Sequence, residues 1–224
     1  MAQGLRLVLI GPPGAGKGTQ VQLLREHVDL AHISSGDLFR HHLRQGTPLG
    51  LRAKEYMNRG ELVPDEVTID IILGKVMSIP DDDGFILDGF PRNRNQAQEL
   101  DKKLTAESRN LDKVVHIDVS EPALLRRLGG RYICRACQSP YAIGLGEDAS
   151  ARTCDQCGGE LYQRDDDAPA AVKKRIQVYN DETMPVLGFY RKRGVLVEIP
   201  GDDTIAEVNK QIMAAVDAPT ARKL

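Results

Sequence analysis

Residues Gly11-Pro12-Pro13-Gly14-Ala15-Gly16-Lys17-Gly18-Thr19 constrain this chain more than any other stretch. They stand between the apolar run Leu7-Val8-Leu9-Ile10 and a helical pattern through Val21, Leu23 and Leu24. A strand, a Gly-rich turn and a helix start are the setting in which a backbone cradles a polyphosphate. Glycine lets the main chain approach an anion closely. Free N–H groups and the dipole at the helix N-terminus then attract it. Lys17 adds a positive charge suited to β- and γ-phosphates. In the general form of such loops a hydroxyl residue directly follows the lysine. Here Gly18 intervenes and Thr19 comes next.

A chain of 224 residues holds one large domain, or one core with small insertions. A net charge of -2 gives no electrostatic footprint for nucleic acid or a membrane surface. No charged segment followed by an apolar one opens the sequence, and no apolar run approaches the length of a membrane span. The expectation is a soluble, cytoplasmic protein, monomeric, with neither nucleic acid nor membrane as partner. Tryptophan is absent, so the core must rest on Leu, Ile, Val and Ala.

Strand and helix patterns alternate. Strands are expected at 5–10, at 84–88, at Lys113–Val119 and at Val195–Ile199. Helices are expected from the loop to near His27, after a cap at Ser34 or Ser35, through Ala53 and Met57, and after Asp65. Further helices should cover 95–108, follow Ser120-Glu121-Pro122, run from Val172 to about Arg193 with a kink at Pro185, and follow Thr204. Residues 218–224 should fray. This alternation predicts an α/β fold, a doubly wound parallel sheet with helices on both faces. Asp88 then closes a strand at the edge where open α/β sheets bind ligands. A carboxylate there, beside a phosphate loop, suits the water shell of Mg²⁺. Ser34 or Ser35 beside Arg40 can serve an anion or merely cap the helix.

From Arg131 to about Asp167 the composition turns to Gly, Cys and charge, which marks an inserted subdomain. Cys134 and Cys137 form one tight pair, and Cys154 and Cys157 another, sixteen residues on. That spacing is strong for zinc. Four thiolates fill a tetrahedral shell, so the metal should be structural, one per chain. An insert this small cannot build a core alone, and metal substitutes for one. Gly158 can take the positive φ such turns often need, whereas Gln138 lacks that freedom. A zinc-ribbon nucleic-acid module is the rival from spacing alone, but Glu147, Asp148, Asp155 and Glu160 dilute any basic patch.

The loop, together with Ser35-Gly36-Asp37 and Arg40, Asp88-Gly89-Phe90-Pro91-Arg92 and Gln96, Arg127, Arg131, Arg164-Asp165-Asp166-Asp167 and Arg175, resembles the adenylate kinase family along nearly the whole chain. The insert is similar to the long, zinc-holding lid of the bacterial type. The resemblance implies reversible transfer of a phosphoryl group from MgATP to AMP, giving two ADP. It implies a P-loop core at 1–33, 64–130 and 168–224, a helical AMP-binding flap at 34–63 and a zinc-binding lid at 131–167. Gly14, Ala15, Gly16, Lys17, Gly18 and Thr19 would hold ATP phosphates. Arg127 would lie against the ATP adenine and Arg131 on its phosphates, with Pro140, Tyr141 and Asp203 nearby. Arg40 and Arg92 would hold the AMP phosphate, beside Gly89, Phe90 and Pro91. Ser35, Glu61, Leu62, Val63 and Gln96 would surround the AMP nucleoside. Arg164 and Arg175 would converge on the transferred group. The chain departs from the commoner family pattern at Ser35, Ala170, Lys173, Asp203 and the stretch after Tyr141. Alternatives are a kinase of UMP or CMP, or a zinc-ribbon NTP-binding switch protein.

Overall fold

The computed structural model describes residues 4–144, 147 and 152–217. Leu145 and Asp148 of the insert and the tail expected to fray lie outside the described residues. In chain order the strands are β1 (Arg6–Ile10), β2 (Leu30–Ser34), β3 (Gly84–Asp88), β4 (Lys113–Asp118), β5 (Arg131–Cys134), β6 (Pro140–Ala142), β7 (Leu161–Tyr162) and β8 (Leu196–Pro200). Five of them form a parallel sheet in the order β2-β3-β1-β4-β8. The other three form a small antiparallel sheet, β6-β5-β7, within the insert.

Helices α1 (Lys17–Arg25), α2 (Ser35–Arg44), α3 (Pro48–Asn58), α4 (Asp65–Met77), α5 (Arg94–Ala106), α6 (Glu121–Gly129), α7 (Pro169–Val178), α8 (Met184–Lys192) and α9 (Ile205–Asp217) complete the fold. Alternation along β1 assigns the two faces. Leu7 and Leu9 pack with Val21, Leu24, Leu124, Leu128, Val208 and Ile212. Val8 and Ile10 pack with Ile72, Val76, Leu100, Val186 and Tyr190 on the other side. Each such side chain, fully buried, contributes about 1.5–3 kcal/mol. A strand apolar on both faces is what a central parallel strand needs.

Two local expectations change and one open alternative resolves. Strand β2 was not anticipated, because Ala31 is exposed and His32 half-buried, which interrupts the apolar run of an edge strand. Ser34, not Ser35, caps α2 by accepting from Asp37 N–H at 3.2 Å. The long helix after 168 is broken by a single π turn at Tyr179–Thr183, and Pro185 falls in the first turn of α8, where its missing N–H costs little.

Register brings the site together. Asp88 pairs with Leu9 on one side and with Ser34 on the other. The phosphate loop, the carboxylate of Asp88 and the start of α2 therefore leave the sheet side by side.

Candidate active site

The loop, the end of β3, α2, the insert and α7 line one cavity of about 1320 Å³. Gly14 and Gly16 both take left-handed backbone, with φ of 85° and 88°. A Cβ on Gly14 would also meet Leu128 Cγ at 2.9 Å. Gly16 is the N-cap of α1, and a Cβ there would meet nothing within 4 Å. That open side is where an anion can approach the helix N-terminus. Lys17 Nζ donates to the Gly11 and Pro12 carbonyls at 2.8 and 3.0 Å. Burial lowers its pKa to about 8, against the pull of Asp88 and with help from Arg92, Arg175 and Arg131.

That shift has a testable sign. Between pH 8 and 10.5 the unfolded chain holds a proton on Lys17 that the folded protein releases, so this group's contribution to stability rises with pH across the window. A polyphosphate beside Lys17 restores the proton. Binding of a non-hydrolysable MgATP analogue at pH 9 should therefore take up protons, read as an enthalpy that varies with buffer ionisation heat. At pH 7 this group should take up none, and Lys17→Met should abolish the uptake at pH 9.

Asp88 is inside the same cavity. Burial opposes its charge, but His32, 3.9 Å away, and Lys17 hold its carboxyl below the usual carboxylate range. An ionised oxygen donor beside the loop fits Mg²⁺.

Arginines form the cavity's far wall. Arg92 donates from Nε to the Gly89 carbonyl at 2.7 Å and from Nη2 to Ser35 Oγ at 3.3 Å. Ser35 Oγ donates in turn to the same Gly89 carbonyl at 2.6 Å. Gly89 has a φ of 73°, and a Cβ there would meet both Ser35 Oγ and Arg92 Nη2 at 2.9 Å. Burial and the neighbouring Arg175 lower the Arg92 pKa to about 10. Burial and Arg40 do the same for Arg164, also to about 10. Asp167 bridges Arg131, through Nε at 2.8 Å and Nη2, to Arg175 at 3.0 Å. Arg175 also reaches Asp166. Arg40 pairs with Asp37 at 2.6 Å. Arg40 Nε and Arg164 Nε are buried, with no hydrogen-bond partner among the described residues. Buried donors without acceptors amid like charges are a site waiting for an anion.

The remaining expected residues divide. Glu61, Leu62, Val63, Pro91 and Gln96 line the cavity, whereas Phe90 packs into the core behind it. Arg127 lines the cavity and donates to the Gly201 carbonyl at 2.8 Å. Pro140 and Asp203 also line it, both exposed. Tyr141 borders the cavity, but its hydroxyl turns to the cysteines, donating to Cys154 Sγ at 3.1 Å and accepting from Asp155 N–H at 2.9 Å. The insert also touches α2, through Arg44 Nη1 and Gln138 Oε1 at 3.3 Å.

The four cysteine sulfurs lie within 4.8 Å of one another, with Cys134–Cys157 at 3.5 Å and Cys137–Cys154 at 3.4 Å. Thiolates at about 2.3 Å from a tetrahedral ion stand about 3.8 Å apart, so these four can hold a metal. Gly158 takes a φ of 72° as expected, and Gln138 takes 65° despite its side chain. Its Nε2 offsets that by donating to the Cys134 and Arg135 carbonyls at 3.0 Å each. Among the described residues Cys134, Ile143, Cys154 and Leu161 form a small buried cluster there, with Tyr132 and Tyr141 packed against it.

The model of the adenylate kinase family matches residues 9–195. The chain belongs to the adenylate kinase family. An adenylate kinase of Desulfitobacterium hafniense is 50% identical over 213 residues, 95% of this chain and 98% of that protein. Those of Methanocella arvoryzae and Dehalococcoides mccartyi are each 47% identical, over 95% and 94% of this chain and 98% and 97% of theirs. As an adenylate kinase it is a phosphotransferase that moves the terminal phosphoryl group of ATP to AMP and back. It binds ATP, AMP and ADP, with Mg²⁺ accompanying ATP. Among the described residues, no helix is long and apolar enough to cross a membrane.

Sequence reasoning gave no role to four groups that shape this adenylate kinase site. Asp37 and Asp167 hold Arg40, Arg131 and Arg175 in place. Thr183 donates to the Arg92 carbonyl at 2.7 Å. Asp65 anchors Gln96. Asp167, next to Arg164-Asp165-Asp166, carried a signal in its motif. Thr183 and Asp65 carried none, since both act across more than twenty residues.

Proposed function

We propose that this adenylate kinase works by positioning and charge stabilisation, with no general base. The buried Nε atoms of Arg40 and Arg164, which have no hydrogen-bond partner among the described residues and share one cavity with Arg92, carry the reading. An AMP phosphate has a second pKa of about 6, so its attacking oxygen is already ionised at pH 7. What remains is to hold two polyanions in line and to disperse developing charge. Gly14 to Thr19 take the ATP phosphates through main-chain N–H groups, with Lys17 leaving its loop carbonyls for them. Arg40 and Arg92 take the AMP phosphate. Arg131, Arg164 and Arg175 close on the transferred group, and Arg127 lies against the ATP base. Ser35, the backbone of Glu61 to Val63 and Gln96 surround the AMP nucleoside. Asp88 would hold Mg²⁺ through water, and the ion would supply charge neutralisation when bound.

Residues 34–63 and 131–167 act as a flap and a lid on a core formed by 1–33, 64–130 and 168–224. Their closure excludes water, which would otherwise hydrolyse ATP. The lid metal is zinc, one per chain, and structural, because four thiolates leave no open position. Free thiols in a metal set suit a reducing compartment, which supports the cytoplasm. The phosphate loop, Asp88 and the arginines already line one continuous cavity, so the site needs no residue from a second subunit and the reading is a monomer.

The direct test is ADP formation from MgATP with AMP, UMP, CMP or GMP as separate acceptors, and with none. Turnover with AMP should far exceed the rest. Equal turnover with another base would overturn the base-side assignments.

A further inference from the structure

Gln96 is 1% exposed, yet it borders the cavity. Its two amide ends meet partners of opposite kind. Oε1 accepts from the Arg92 main-chain N–H at 2.8 Å, and Nε2 donates to Asp65 Oδ1 at 2.8 Å. A backbone N–H can only donate, and an ionised carboxylate can only accept. The amide therefore cannot flip without setting N–H against N–H and oxygen against oxygen. One N–H and one lone pair remain on it, in a fixed order.

Asp65 is itself over-determined. It accepts from Asn93 Nδ2 at 2.9 Å and from Asn95 Nδ2 at 2.8 Å. Asn93 Oδ1 accepts from the Gln96 main-chain N–H at 2.9 Å, which caps α5. Asp65 also opens α4, directly after the connector whose Glu61, Leu62 and Val63 line the cavity. It joins that connector to the start of α5, yet is not among the cavity's lining residues.

We propose that Asp65 is a positioning residue for base selectivity, which fixes the Gln96 amide so that the site reads a 6-amino purine and rejects a 6-oxo one. This rests on Gln96 facing the acceptor base. Adenine offers a 6-amino donor beside the N1 acceptor. Hypoxanthine reverses both, with a 6-oxo acceptor beside an N1 donor. A locked amide matches one order and leaves the other with unpaired groups, whereas an amide free to turn serves both.

The experiment measures kcat/KM for AMP and for IMP, with KM for MgATP and the melting midpoint, in Asp65→Ala, Asp65→Ser, Asp65→Asn and Gln96→Met. The AMP-to-IMP ratio is taken within one preparation, so a partly unfolded variant still reports it. Asp65→Ala and Asp65→Ser should lower that ratio about tenfold, as loss of one hydrogen bond to a charged group would. KM for MgATP should stay unchanged. Asp65→Asn should restore most of the ratio, because its Oδ1 still accepts from Gln96 while the exposed Asn95 turns its own amide. A merely structural role would depress both acceptors equally and leave the ratio intact, which overturns the proposal. So would equal losses in the Ala and Asn variants. If Gln96→Met keeps the ratio, the reading of Gln96 itself fails. If Gln96→Met loses it and Asp65→Ala does not, only the role of Asp65 fails.

Discussion

Arg92→Ala should raise KM for AMP by about two to three and a half orders of magnitude while KM for MgATP changes less than about threefold, because removing one partner of a buried charged pair costs about 3–5 kcal/mol. The magnitude follows from how firmly Arg92 is held before substrate arrives. Its main-chain N–H is tied to Gln96, its carbonyl to Thr183, its Nε to Gly89 and its Nη2 to Ser35. A guanidinium held by two of its own nitrogens, on a main chain pinned at both N–H and carbonyl, has already lost much of its rotamer freedom, so little of its bond to phosphate is spent on ordering. Burial beside Arg175 also disfavours the bare charge, and a phosphate relieves that penalty. Arg92→Lys should recover only part of the loss, since a single ammonium cannot keep the Gly89 and Ser35 contacts and still present two donors. Steady-state kinetics with each nucleotide varied in turn decide the matter. Equal increases in both KM values would move Arg92 out of the AMP side.

That expectation could be written from sequence only in part. Arg92 stood out because Asp88-Gly89-Phe90-Pro91-Arg92 is a contiguous stretch at a strand end. Contiguity made the phosphate loop, the two cysteine pairs and the run from Arg164 to Asp167 legible for the same reason. The sheet was legible where strands are apolar on both faces, as in β1, and not where an edge strand such as β2 mixes Ala31 and His32 with Ile33. What fixes Arg92 and Gln96 was illegible, because Thr183 and Asp65 act through contacts 91 and 31 residues apart. Tyr141 shows a further limit. Its place in the lid pointed to ATP, but its hydroxyl ties β6 to the second cysteine turn, at Cys154 and Asp155, which only the folded insert reveals.

Removing the lid metal should lower the melting midpoint by about 5–10 °C, since about 1 kcal/mol shifts a chain of this size by about 2–4 °C. Turnover at 25 °C should fall less than about twofold. The asymmetry comes from what else holds the insert. Among its described residues the buried cluster is Cys134, Ile143, Cys154 and Leu161, little apolar area to resist heating. Yet β5 stays laddered to β6 and β7, Gln138 still ties the first cysteine turn, and Tyr141 still joins β6 to the second. Arg131 and Arg175, which line the cavity, are fixed by the buried carboxylate of Asp167 and not by the sulfurs. At low temperature these contacts keep the lid's shape, and the metal matters once thermal motion competes with them. Metal analysis of the purified protein should give about one zinc per chain, as one closed four-thiolate site requires. Turnover that vanishes on chelation while the melting midpoint stays in place would make the metal part of the chemistry and remove the structural reading.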